Sequence, residues 1–236
     1  MDISKLQEDL KVKGYTQFNL RDINEELYNQ LLPFKCNETT NLKEYMIGLR
    51  MDGELLSKND NINHIREVLD THNESIQLRE STIPLMNPNN IFQIWHYNEL
   101  INYNWKDIKP NYTDVMVGIF KVVRTIFGIN ETIGLKSIVN EITYYDKGCF
   151  ITDHRDGLNE DRVCSILIYL NETYNEEDGG ILILDGNEKV IPEFGNVAVI
   201  SLSNFDVSHR VTPVVGGIGR YAICTFVAYH NKNNFI

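Results

Sequence analysis

None of the four cysteines forms a C-x-x-C pair. Cys36, Cys149, Cys164 and Cys224 are widely separated, which argues against a zinc knuckle and against a disulfide framework. Reduced thiols are expected, and Cys164 and Cys224, both inside apolar runs, read as core residues. Positive charge is also in short supply. A formal net charge of -11, from 22 Lys+Arg against 33 Asp+Glu, opposes non-specific attraction to phosphate backbones or anionic lipid. With no basic stripe in view, a nucleic-acid partner is not expected. No run of eighteen uncharged apolar residues is present, and MDISKLQEDLKVKGY has no apolar core of secretory type. The expectation is a soluble, cytoplasmic protein with no membrane partner. No internal repeat or low-complexity linker divides the chain.

What is present fits one folded unit. At 236 residues, with 42% hydrophobic and 23% charged residues, the composition is that of a globular chain with one well-buried core. A single domain over 1–236 is expected, with 1–130 as mainly helical support and insertion and 131–236 as the core. Ile3, Leu6, Leu10 and Val12 recur at helical spacing, GYTQFNL reads as a strand, and Asn19 to Leu32 reads as a helix capped by Asn19. From Cys36 to about Asn104 the signal weakens into an Asn- and Asp-rich, irregular insertion with short helices, one over Asn61 to Asp70. This insertion is a candidate wall or lid facing a substrate. Pro110 to Phe127 is the strongest helix, with an apolar face of Val115, Val117, Ile119, Phe120, Val122, Val123 and Ile126, ended at Gly128.

Beyond Gly128 the texture changes to short β-rich runs: Ser137–Tyr145, Cys149–His154, Val163–Leu170, Ile181–Leu184, Lys189–Ile191, Val197–Leu202 and Tyr221–Tyr229. VCSILIYL is almost wholly apolar, as a strand buried on both faces would be. Asp185-Gly186-Asn187 is a hairpin turn signal. Short strands at this spacing indicate a sandwich or barrel.

Chemistry concentrates in YDKGCFITDHRDG. If that piece is extended, His154 and Asp156 point to one face while Arg155 points away. His209, in FDVSHRVTPV, would supply a third ligand if a barrel brought it alongside. Two His and one carboxylate on one side of a metal form the open-faced set suited to non-haem Fe(II) and O2 chemistry. Read alone, His209 is better explained as a core or turn histidine, and a lone H-x-D triplet is a common coincidence. Arg210 neighbours His209 but alternates to the opposite face and reads as a solvated charge. Cys149, Thr152 and Asp153 read as packing or turn residues. His64, His72, His96 and His230 have no comparable neighbours, and Trp95 and Tyr97 read as core anchors.

From about Lys136 to Tyr229 the chain resembles the 2-oxoglutarate- and Fe(II)-dependent oxygenases, and among them the prolyl 4-hydroxylase-like branch. The matching segments are YDKGCFITDHRDG, ILIYLN, DGGILIL and HRVTPVVGGIGRYAICTF. The resemblance implies an α+β fold, with a double-stranded β-helix (jelly-roll) core in the C-terminal half and supporting N-terminal helices. It implies His154, Asp156 and His209 as iron ligands, Arg220 as partner of the distal carboxylate of 2-oxoglutarate, and Tyr145 as a hydrogen-bond donor to that cosubstrate. Phe226 stands where relatives often carry Trp. The implied cofactors are Fe(II), 2-oxoglutarate and O2, with room for ascorbate. The implied activity is hydroxylation of an unactivated C–H, with a peptide or protein as leading substrate. A free amino acid or small metabolite, or a non-catalytic metal-binding jelly-roll module acting as a sensor, stand as alternatives. Arg meets the need for a permanently charged, two-pronged carboxylate partner, and a pure binding module has no use for such a clamp.

Overall fold

The structure, a computed structural model, describes residues 2–38, 47–50, 55–57, 93–97, 112–145, 147–157 and 161–230. The first helix, α1 (Ile3–Val12), is capped by Asp2, whose side chain accepts from the Ser4 N–H, and it buries Leu6 and Leu10. Strand β1 (Tyr15–Asn19) follows. The single helix expected over Asn19 to Leu32 is two pieces, a 3-10 turn Leu20–Asp22 capped by Asn19 and then α2 (Glu25–Leu31) capped by Asn24. The second asparagine explains the break: its side chain accepts from the Leu27 N–H at 3.0 Å, starting a new helix where one through-going helix was expected.

Within the expected irregular insertion, three short strands are described: β2 (Ile47–Arg50), β3 (Leu55–Ser57) and β4 (Gln93–Tyr97). Pairing of β4 with β5 adds all three to the main sheet, a long-range contact that local composition does not signal. The helix expected at Asn61 to Asp70, His64, His72 and the side chains of Trp95, His96 and Tyr97 lie outside the described residues. Helix α3 (Tyr112–Phe127) buries Val115, Ile119, Val122, Val123 and Ile126 but leaves Val117 at 47% exposure. It closes with Gly128 at φ 64 and the Ile129 N–H bonded to the Arg124 carbonyl, the pairing that favours glycine at this point.

The remaining strands are β5 (Leu135–Tyr145), β6 (Ile151–His154), β7 (Arg162–Tyr169), β8 (Leu182–Leu184), β9 (Glu188–Val190), β10 (Asn196–Ser201), β11 (His209–Val211) and β12 (Arg220–Tyr229). They form two antiparallel sheets, β1-β10-β7-β12-β5-β4-β2-β3 and β6-β11-β8-β9. One face of the larger sheet carries the helices and the other faces the smaller sheet. Alternation along the strands shows this division. Val197, Val199, Tyr221 and Ile223 join the helix-side core with Leu10, Leu27, Ile119 and Val123. Ala198, Ile200 and Ala222 join the inter-sheet core with Ile151, Leu182, Leu184 and Val211. The apolar run of β7 is therefore explained by burial on both sides. Antiparallel strands closed around an inter-sheet core, with helices bracing one outer face, make an α+β double-stranded β-helix.

Candidate active site

Strands β6 and β11 bring the two histidines together. His154 and His209 are cross-strand partners, with ring centroids 4.1 Å apart, beside a register shift between His209 and Val211. Strand β6 ends at His154, so Asp156 sits in the following irregular piece and not on the strand. It still turns to the same side: its Oδ1 lies 3.7 Å from His209 Nε2. The ligand atoms of His154, Asp156 and His209 all lie within 4.8 Å of one another.

The donor chemistry suits a metal. His154 Nδ1 lies 2.9 Å from the Thr152 carbonyl, and His209 Nδ1 lies 3.2 Å from the Val207 carbonyl. A carbonyl only accepts, so each Nδ1 carries the proton and each Nε2 keeps its lone pair free. Burial pulls His209 below the ordinary imidazole range, with His154 reinforcing the effect against the opposing pull of Asp156. With His209 neutral, its contact with Asp156 is a meeting of two lone-pair donors more than an ion pair. Ser165 Oγ donates to Asp156 Oδ2 at 2.9 Å, leaving Oδ1 as the oxygen nearest the histidines.

The arginines divide as alternation requires. Arg155 turns outward to Asp206, its Nε 3.3 Å from Oδ2, and Arg210 turns outward to Asp153 at 3.4 Å. Arg220 points inward and is 2% exposed. Its guanidinium lies 4.8 Å from the ring centroid of Tyr145, its partner on β5, and 5.0 Å from that of Tyr169 on β7. Nη2 donates to the Tyr169 hydroxyl at 3.2 Å, whereas Nε is buried without a hydrogen-bond partner. Among the described residues no carboxylate lies within ion-pair reach of Arg220. Leaving a buried guanidinium incompletely paired costs several kcal/mol, so the site fits a ligand that brings its own carboxylate. Burial pushes the Tyr169 phenol upward, which keeps its proton available as a donor while its oxygen accepts from Arg220.

Backbone detail holds this second cluster in place. Asn171 Nδ2 donates to the Gly219 carbonyl at 2.6 Å and Oδ1 accepts from the Tyr221 N–H at 2.8 Å, gripping the chain on both sides of Arg220. Gly180 adds room, because a Cβ there would come within 3.3 Å of Arg220 Cβ.

Five residues singled out from sequence thus fall into two neighbouring groups: His154, Asp156 and His209, and Arg220 with Tyr145. Tyr144 faces the opposite way and stacks on Tyr221 at 4.4 Å. Cys164 is fully buried, but Cys224, also expected in the core, is only half-buried, four residues beyond Arg220 on β12. Ser165 and Tyr169 escaped sequence reading. Their signal was present, since Ser165, Leu167 and Tyr169 alternate along β7 and so share its inward face.

Residues 141–228 match the model of the 2OG-Fe(II) oxygenase superfamily. The chain carries a 2OG-Fe(II) oxygenase domain. It is a dioxygenase whose cofactors are Fe(II) and 2-oxoglutarate. No curated protein sequence matches the oxygenase. Among solved structures it is similar to a Pseudomonas putida prolyl-4-hydroxylase, at 17% identity over 98% of this chain and 100% of that one, with a TM-score of 0.50. It is also similar to an oxidoreductase of the 2OG-Fe(II) oxygenase family from Burkholderia pseudomallei, at 15% identity over 98% and 92% of the two chains, with a TM-score of 0.55. At these identities the likeness establishes the fold. Among the described residues no helix is long and apolar enough to cross a membrane.

Proposed function

We propose that the chain is one oxygenase domain in which His154, Asp156 and His209 hold Fe(II), Arg220 binds the distal carboxylate of 2-oxoglutarate, and the substrate is a peptidyl proline. The observation that carries the reading is a His-Asp-His cluster within electrostatic reach of a buried guanidinium whose Nε has no hydrogen-bond partner among the described residues.

Fe(II) with 2-oxoglutarate, when bound, supplies oxidative decarboxylation of the 2-oxo acid to succinate and CO2, with the second oxygen atom of O2 delivered to a substrate C–H. The protein's residues provide the geometry. Two imidazole Nε2 atoms and one carboxylate oxygen would hold the metal, a donor set that would leave room for cosubstrate and O2. Arg220 offers a permanent charge in a place sealed from water, where an ion pair is far stronger than at the surface. Tyr169 adds a hydroxyl proton to the same carboxylate. Tyr145 flanks the guanidinium, and its hydroxyl would donate a hydrogen bond to the cosubstrate.

Support for a prolyl substrate comes from the likeness to the Pseudomonas putida prolyl-4-hydroxylase. The test is succinate formation with Fe(II) and 2-oxoglutarate, comparing proline-containing peptides with free amino acids. Succinate that rises only with the peptides, together with a mass gain of one oxygen on proline, supports the reading. Turnover driven by free amino acids alone overturns the peptide assignment.

A further inference from the structure

Asp156 is the least anchored member of the cluster. It lies beyond the end of β6, and among the described residues its own carbonyl receives only a long 3.5 Å contact from Arg162 Nη1. Gly157, at φ 77, follows it. Sheet pairing fixes the two histidines, but nothing of that kind fixes this carboxylate. What holds it is a hydroxyl on a different strand. Ser165 is 1% exposed on β7, paired with Ile200 on one side and Phe226 on the other, and its Oγ reaches Asp156 Oδ2 at 2.9 Å.

We propose that Ser165 is a positioning residue that selects which oxygen of Asp156 meets the metal. By holding Oδ2, it turns Oδ1 toward His209 Nε2 and keeps the carboxylate a one-oxygen ligand. A carboxylate free to rotate could chelate through both oxygens and take a position that the cosubstrate or O2 needs, or swing away and bind weakly. A hydroxyl on a central strand, locked between two neighbours, is a rigid means of preventing both. This inference rests on the reading of His154, Asp156 and His209 as metal ligands.

The experiment is a Co(II) titration of purified protein, followed by the visible absorption of the bound ion, on wild type, Ser165→Ala, Ser165→Val, Ser165→Thr and His209→Ala. Valine and threonine have the same shape and differ by the hydroxyl, so any packing disturbance is common to both and the comparison survives if alanine folds poorly. The expected result is Co(II) affinity lowered roughly 10- to 100-fold in Ser165→Ala and Ser165→Val and restored to within about threefold in Ser165→Thr, with a changed absorption envelope in the two variants lacking the hydroxyl. Equal affinity and spectrum across wild type, valine and threonine variants overturns the positioning role while leaving the metal centre standing. Wild-type protein that binds no Co(II), or binds it regardless of His209→Ala, overturns the metal centre and the positioning role together.

Discussion

His154 and His209 face each other across β6 and β11, and each turns its Nδ1 to the carbonyl two residues earlier in the chain. The two rings, tilted 52° to each other, are thus each oriented by a main-chain carbonyl. Replacing His154, Asp156 or His209 by Ala should leave a folded protein that no longer gains stability from metal. At a free metal concentration a hundred times the dissociation constant, wild type should gain about 2.7 kcal/mol. In a chain of this size that moves the thermal midpoint by roughly 5–10 °C. Scanning calorimetry with and without Mn(II) reads the difference, and an equal gain in the alanine variants would count against these ligands.

Arg220 is buried within electrostatic reach of His209. Arg220→Met keeps the bulk and removes a charge that lacks a carboxylate partner among the described residues, so the metal-free protein should melt at the same temperature or higher. Its affinity for 2-oxoglutarate should fall by at least about 30-fold, the lower end of what loss of a buried charge partner costs. Calorimetric titration of 2-oxoglutarate into Mn(II)-loaded protein measures the change, and metal affinity should hold.

Tyr169 serves Arg220 through one hydroxyl. Tyr169→Phe keeps the ring beneath the guanidinium but leaves Nη2 without its acceptor, a loss of about 1–3 kcal/mol. The expected outcome is roughly tenfold or greater weakening of 2-oxoglutarate binding with unchanged metal affinity. A parallel loss of metal affinity would show that the two clusters are not separable.

The lowered pKa of His209 has a definite sign. The unfolded chain takes up a proton near 6.5, whereas folded His209 resists protonation. Stability is thus full above about pH 6.5 and declines as the pH falls through that value towards the lower folded pKa. Denaturant titrations of metal-free protein between pH 5 and 8 should show this slope, and His209→Gln should flatten it. Metal should steepen the dependence, because the ligands bind only when deprotonated.

Much of the candidate site was legible because its residues carry rare chemistry at short spacing. An H-x-D triplet, a later histidine, and an arginine opening an apolar strand stand out from their surroundings. Ser165 and Tyr169 did not, since a strand buried on both faces is apolar almost throughout, and its two polar tips look like exceptions until the inward face is known. The fold followed the same rule. The strong periodicity of α3 and the short C-terminal strands showed directly, whereas the docking of β1 against β10 and β4 against β5 depends on partners far away in sequence. The break between the 3-10 turn and α2 turned on one asparagine side chain, which a periodic pattern spanning Asn19 to Leu32 conceals.

Fe(II) and 2-oxoglutarate should bind together on one interior surface. Anaerobic addition of Fe(II) to protein with 2-oxoglutarate tests it through the visible charge-transfer band of a 2-oxo acid chelated to Fe(II). The band should grow to one equivalent of metal, vanish in His209→Ala, and in Arg220→Met require far more 2-oxoglutarate to reach the same height. A folded wild-type protein that gives no band under these conditions would contradict the account.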